Sequence, residues 1–125
     1  MKTKLLMASS AAVMGAAGLA GTFLPQELLR ALQLPASDAP ALLMQLHAAL
    51  LLAFALTNWM AKGSLIGGIY NRPLALANVL HFATGSLTLL KMMTAGAVGL
   101  PEAVLVVPYV VLAVWWSAAL VTSPV

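Results

Sequence analysis

Two histidines, His47 and His81, have the widest chemistry of any residues in this 125-residue chain. An imidazole donates or accepts a hydrogen bond and binds a proton near neutral pH, so it suits a quinone carbonyl or a proton relay. Two imidazoles can also hold the iron of haem b from opposite sides. One alternative for this chain is therefore a redox or proton-handling protein that binds a quinone or haem b at His47 and His81.

A structural role explains the same two histidines. Each can stay neutral and hydrogen-bond to a threonine, an asparagine or a backbone carbonyl on a neighbouring helix. Helical rise places His47 and His81 about 10 Å apart in depth, which only a strongly tilted haem plane would span. A metal site is not expected, since the chain has no cysteine and no carboxylate near either histidine.

Polar and aromatic residues recur on the same helical faces as the histidines. Asn58 follows His47 by eleven residues, about 1,100° of helical rotation, which returns it to nearly the same face. We expect a ligand pocket between the second and third apolar segments, because helices adjacent in sequence tend to be neighbours. The residues expected to line it are His47, Phe54, Asn58, Asn78, His81 and Thr88.

These residues lie in four long stretches that contain no Asp, Glu, Lys or Arg. Each stretch can cross a hydrocarbon layer about 30 Å thick as an α-helix of about 20 residues. With 62% hydrophobic and 7% charged residues, a soluble domain of this length would expose too much apolar surface. The sequence predicts an all-α fold, a four-transmembrane-helix bundle in one membrane domain over 1–125, with spans of about 5–25, 40–61, 73–93 and 102–122.

The first connection between spans has a pattern of its own. Pro25 is expected to end the first span, and Leu28, Leu29 and Leu32 share one face of the segment that follows. This spacing predicts a short amphipathic helix in the membrane interface. Asp38 is then placed to cap the second span.

The second connection, 62–73, is rich in glycine but lacks the spacing of a phosphate-binding loop, so it predicts a flexible link. Tyr70 in this connection is expected to join Trp59, Trp115 and Trp116 in an aromatic belt at one membrane surface. Pro108 is expected to kink the fourth span.

Basic residues are unevenly divided between the two ends of the spans. Four lie on one side, and two lie on the other side with all three carboxylates. The positive-inside bias therefore predicts a multi-pass protein of the bacterial inner membrane with both termini in the cytoplasm. The cations are too dispersed for a nucleic-acid site. A cleaved signal peptide ending near Gly18-Leu19-Ala20 is the alternative for the first span, and cleavage would leave three spans.

Small residues recur at every fourth position of the first span, as Ala8, Ala12, Ala16 and Ala20. Small side chains let helix backbones approach closely, and packing rather than hydrophobicity drives helix association in lipid. We expect this face to meet a neighbouring helix, a second copy of the chain or a larger membrane complex. Membrane lipid is the other expected partner.

The usual catalytic sets are not present in the spans. The three carboxylates, Glu27, Asp38 and Glu102, all lie near helix ends, so no pair is available for acid–base work inside the bilayer. Ser86 and His81 are five residues apart and do not share a helical face, which disfavours a nucleophile–base pair. Independent enzymatic activity is therefore not expected.

The four-span layout, the chain length and the proline-terminated first helix with its amphipathic outer segment resemble the small bacterial DoxX-like membrane proteins. The resemblance covers the whole chain and rests on this layout, so no site residue is carried over from it. It implies a four-helix membrane fold, and some members of that group are linked to quinone-dependent oxidoreductases. The expected function is a non-catalytic helix-packing or small-molecule- or lipid-binding subunit.

Overall fold

The computed structural model describes residues 2–64, 71–96 and 99–122, in which there are five helices and no strand. Four of the helices are long and apolar enough to cross a membrane, so the chain is a multi-pass membrane protein by length and composition. The predicted all-α class with four spans and a short helix after the first is confirmed. The helices are α1 (Lys2–Phe23), α2 (Pro25–Ala31), α3 (Asp38–Ala61), α4 (Arg72–Thr94) and α5 (Leu100–Thr122).

The helix ends follow local chemistry rather than hydropathy. α1 spans Lys2–Phe23 and so includes residues before the predicted start of the span. It ends at Phe23, and Leu24 leaves the helical region at φ −127°, ψ 48°. The residue before a proline is disfavoured in the helical conformation, so Pro25 accounts for this break. Pro25 then opens α2 in the first turn, where a missing N–H costs no hydrogen bond.

The predicted amphipathic character of α2 is confirmed. Leu29 is buried, whereas Glu27 in the first turn and Arg30 in the last turn are exposed. Two bonds close the helix: the Leu34 N–H donates to the Leu29 carbonyl and the Gln33 N–H donates to the Arg30 carbonyl. These bonds form a Schellman motif with Gln33 at φ +57°, a position that glycine usually fills.

Contacts divide the chain into two parts, Met7–Met60 and Met1–Leu6 with Ala61–Val125. In the first part α1 and α3 pack closely, and we call them the α1–α3 pair. A Cβ added at Gly15 would lie 3.6 Å from the Ala55 Cβ, and one added at Gly21 would lie 2.8 Å from the Ala48 Cβ. Because residue numbers rise on α1 as they fall on α3, the two helices are antiparallel.

In the second part α4 and α5 pack against each other, and we call them the α4–α5 pair. α4 ends at Thr94 and α5 starts at Leu100; Gly96, just past the end of α4, has a φ of +72°, which suits a residue without a side chain. Such a short connection makes the two helices antiparallel. Their buried residues repeat every three or four positions, as Ala75, Asn78, Phe82 and Ser86 on α4 and Tyr109, Leu112, Ala113, Trp116 and Ala119 on α5.

Two expectations from the sequence, those for Asp38 and Pro108, have a definite place in the fold. Asp38 lies in the first turn of α3, and the first helical bond there joins the Ala41 N–H to the Ser37 carbonyl. Pro108 lies inside α5, where it cannot donate a hydrogen bond to the Val104 carbonyl. Tyr70 and the glycines at 67 and 68 lie outside the described residues.

Candidate functional site

A histidine–tyrosine hydrogen bond is the most distinctive polar contact of the α4–α5 pair. Nε2 of His81 lies 3.1 Å from the hydroxyl oxygen of Tyr109, and either group can be the donor, depending on the tautomer of the histidine. Phe82 packs edge-on against both rings, with ring centroids 5.1 Å from His81 and 5.2 Å from Tyr109. Helix α4 thus supplies the imidazole and helix α5 the phenol, and the contact joins the two helices.

Gly85 makes room for this contact. A Cβ at position 85 would lie 2.5 Å from Cε1 and 2.7 Å from Cδ1 of Tyr109, closer than real atoms approach. The Tyr109 ring therefore rests directly on the backbone of α4. A glycine inside a helix costs about 1 kcal/mol relative to alanine in soluble hosts, and here it provides the close approach that the ring needs.

Ser86, the next residue on α4, has a buried hydroxyl without a hydrogen-bond partner among the described residues. Its side chain is only 5% exposed. Exposed threonines of the spans behave differently: Thr57, Thr88 and Thr122 each donate to the backbone carbonyl four residues earlier. The Ser86 hydroxyl does not make this bond and so remains available to another group.

Glu102 is the second side chain with a buried, unpartnered oxygen in the described ranges. It is 8% exposed and lies in the first turn of α5, seven residues before Tyr109. Its carboxylate folds back over Gly99, where an added Cβ would lie 3.0 Å from Oε2. The partial positive charge at the N-terminus of a helix stabilises a carboxylate in this position.

Sequence reasoning identified His81 but missed its partner and the burial of Glu102. Tyr109 carried a signal, because it is the one tyrosine in the four predicted spans and directly follows a proline inside the last of them. The sequence placed Glu102 near a helix end, but a position near a helix end does not show whether the side chain is buried.

Asn58 and Asn78 are both completely buried, in different parts of the chain. Asn58 Nδ2 donates to the sulfur of Met14 at 3.6 Å, within the α1–α3 pair. Asn78 Nδ2 donates to the Leu74 carbonyl one turn earlier on α4, at 2.9 Å. Amide groups removed from water need such partners.

The remaining predicted site residues lie nearer the surface. His47 is exposed, Phe54 is half-buried, and Thr88 is exposed with its hydroxyl bonded to the Thr84 carbonyl. His81 is half-buried against Tyr109. The predicted pocket between the second and third spans stays a prediction.

An apolar groove lies in the α1–α3 pair. It has a volume of about 340 Å³ and is open on one side. Small residues form much of its wall. Helix α3 meets α1 on the side of the α1 glycines, so Ala12 and Ala16 remain exposed. Its lining residues are Ala11, Ala12, Leu52, Ala55, Leu56 and Trp59.

The described ranges contain no group of three His, Asp or Glu side chains that could hold a metal ion. Comparison of the chain with protein-family models, with curated proteins and with solved structures found no match. The arguments for function therefore depend on the chain's own residues.

Proposed function

We propose that this protein is a non-catalytic membrane subunit that binds lipid or packs against partner helices. The observation that carries the proposal is the open apolar groove of the α1–α3 pair, with Ala12 in its wall. In lipid, a groove walled by small residues gives an acyl chain or a helix more contact area than a surface of protruding side chains. Trp59 on the groove wall suits a position near the membrane surface, where an acyl chain meets its headgroup.

Surfaces of the long helices support the same function. Many of their large apolar side chains are exposed, among them Leu43, Leu80 and Val121 at 67%, 70% and 84%. Apolar surface on this scale needs lipid or partner protein around it. The exposed alanines Ala12 and Ala16 belong to the predicted Ala8/Ala12/Ala16/Ala20 contact face, which we propose for a homo-oligomer or a larger complex.

Two substitutions on α1 separate lipid binding in the groove from oligomer contact. Ala12→Phe fills the groove, whereas Ala16→Phe enlarges an exposed residue outside its lining. For a lipid-binding groove, native mass spectrometry in mild detergent should detect fewer retained phospholipids for Ala12→Phe and an unchanged number for Ala16→Phe. Equal lipid retention in both variants and the parent chain would refute the lipid site. Loss of dimers or larger assemblies in both variants would support the packing face instead.

A second candidate function is favoured by the His81–Tyr109 hydrogen bond. A paired imidazole and phenol could bind the carbonyl of a quinone or handle a proton. The observed pair supports a form of this candidate in which His81 acts together with Tyr109.

The quinone and haem forms of this candidate are tested separately. A short-chain benzoquinone should shift the NMR signals of His81 in the parent chain and shift them less in Tyr109→Phe, with His47 as the internal reference. A reduced-minus-oxidised absorption spectrum of the purified protein tests haem b, because haem gives a Soret band. A spectrum without the Soret band would exclude the haem form. NMR signals of His81 that benzoquinone does not shift would exclude the quinone form.

Location and kinship form the last part of the proposal. The distribution of basic residues supports the bacterial inner membrane with both termini in the cytoplasm. The four apolar helices and the short amphipathic α2 support a relationship to the DoxX-like proteins in layout. The amphipathic face of α2, with Leu29 inward and Glu27 outward, supports a position in the membrane interface.

A further inference from the structure

Two buried oxygens without partners lie on the two helices that carry the His81–Tyr109 pair. The Ser86 hydroxyl is on α4, and Oε2 of Glu102 is on α5. Polar groups buried in a membrane protein are costly when unpaired, and they commonly mark ion or proton pathways. The proposed lipid groove of the α1–α3 pair includes neither of these two oxygens, so both need another explanation.

We propose that Glu102 and Ser86 connect the His81–Tyr109 pair to protons at the loop end of the α4–α5 pair. Glu102 lies at that end, in the first turn of α5, and Ser86 lies beside Gly85, on which the Tyr109 ring rests. The inference goes beyond lipid binding and shares only His81 and Tyr109 with the second candidate function.

Positions along the helices give the order of the groups. Tyr109 contacts Gly85, so Glu102, seven residues earlier on α5, lies about 10 Å from that level toward the end of the pair. Ser86 is one residue from Gly85, about 1.5 Å along α4. The order from the loop end inward is therefore Glu102, Ser86, and then Tyr109 with His81.

The chemistry of these groups suits a proton better than any other ligand. A carboxylate and an imidazole each bind and release a proton, and hydroxyl groups both donate and accept, so they can pass one on. Metal ions need several ligands at one point, and the described ranges provide no such group.

The proposed transfer balances at each group. A solvent proton forms an O–H bond at Glu102 and then passes to water between the helices, which restores the carboxylate. Roughly two water molecules at hydrogen-bond spacing cover the distance of about 9 Å between the levels of Glu102 and Ser86. Ser86 accepts one proton and releases its own to further water, the Tyr109 hydroxyl takes up a proton from that water and releases its own, and the imidazole of His81 receives it. The net change is one proton moved from solvent to His81, and the same steps in reverse return it.

The other basic side chains described in this part of the chain lie nearer the surface than Glu102. Lys4, Arg72 and Lys91 are exposed, and Lys62 is half-buried in the turn after α3. The Oε2 oxygen of Glu102 is buried and has no hydrogen-bond partner among the described residues.

Solvent exchange of the His81 ring N–H tests the proposal in the full chain without any quinone. The protein is labelled with ¹⁵N-histidine and placed in lipid nanodiscs, and exchange is measured by NMR. Glu102→Gln and Ser86→Ala should each slow exchange at His81 by roughly 100-fold, the lower end of what a positioned proton-transfer group contributes. Glu102→Asp should restore most of the rate, and Glu27→Gln, which removes an exposed carboxylate, should leave it unchanged.

His47 distinguishes a proton path from general loosening, because it lies in the other part of the chain. Unchanged exchange at His81 in both Glu102→Gln and Ser86→Ala would overturn the proposal, as would equal slowing at His47. Should Glu102→Gln fail to fold, Ser86→Ala decides alone, since it removes a single buried oxygen. A negative exchange experiment would overturn the proton path and leave quinone binding untouched. A negative benzoquinone titration would exclude quinone binding and leave the proton path untouched.

Discussion

Tyr109 is held on three sides by α4, and each contact has a different physical basis. Its hydroxyl hydrogen-bonds to His81, its ring forms a T-shaped pair with Phe82, and its Cδ1 and Cε1 atoms lie against Gly85. Hydrogen bonds between membrane helices contribute only about 0.6 kcal/mol on average, so shape matters more than the bond itself. The glycine is therefore the residue on which this site depends most.

Gly85→Ala should destabilise the protein and break the contact between His81 and Tyr109. The added methyl group overlaps a ring that Phe82 keeps from moving away, and overpacking of this kind costs roughly 1–3 kcal/mol. Unfolding in an SDS titration would measure the loss of stability, and the NMR signals of His81 would report the contact. Gly63→Ala is the control, because nothing lies within 4 Å of its added Cβ. Equal stability of the two variants would contradict the described packing.

The α1–α3 pair shows how one helix sets which face of another is buried. The side of α1 that meets α3 carries Gly15, Gly18 and Gly21. The small side chains of Ala48 and Ala55 on α3 pack against this side. The buried residues of α3 are consequently Ala48, Leu51, Ala55 and Asn58. His47, predicted for the same face as Asn58, lies at the edge of this stripe and is exposed.

Gly21→Ala should separate α1 from α3, whereas Gly15→Ala should be tolerated. At position 21 the added Cβ lies 2.8 Å from the Ala48 Cβ, an atom too close to its backbone to move aside. At position 15 the distance to the Ala55 Cβ is 3.6 Å, which is ordinary contact. We expect Gly21→Ala to lose roughly 1–3 kcal/mol of stability in an SDS titration. A loss of the same size for both variants would show that the helices approach differently.

At the scale of the whole molecule, the apolar exterior and the basic residues determine how the chain lies in a membrane. Four spans put both ends of the chain on one side, and the cations near α1 and between α3 and α4 place that side in the cytoplasm under the proposed orientation. The connections at Ser37 and Ser64 would then lie on opposite sides of the membrane.

Single cysteines test this orientation directly, because the natural chain has none. Ser37→Cys should react with a membrane-impermeant maleimide added to intact spheroplasts, since residue 37 is exposed and lies in the outer connection. Ser64→Cys, also exposed, should react only after the membrane is permeabilised. The reverse labelling pattern would invert the topology, and labelling of both in intact spheroplasts would contradict four spans.

Residue types and their order were sufficient for the number of spans, the all-α class and the amphipathic α2. These features depend on local facts: the length of uncharged stretches, the position of Pro25 and the spacing of three leucines. Helical periodicity also related residues on one helix to each other, and of these residues Asn58 and Asn78 are buried. The sequence could not reveal which residues meet across helices, because that depends on how closely two backbones approach and at what register.

The tertiary structure decided the partner of His81, the exposure of His47 and Thr88, and the burial of Glu102. Tyr109 and His81 are 28 residues apart, and they meet because α4 and α5 are antiparallel and Gly85 leaves room for the ring. The chemistry of the chain alone determined that four of its helices are long and apolar enough to cross a membrane. Interhelical packing determined which of their few polar side chains meet one another.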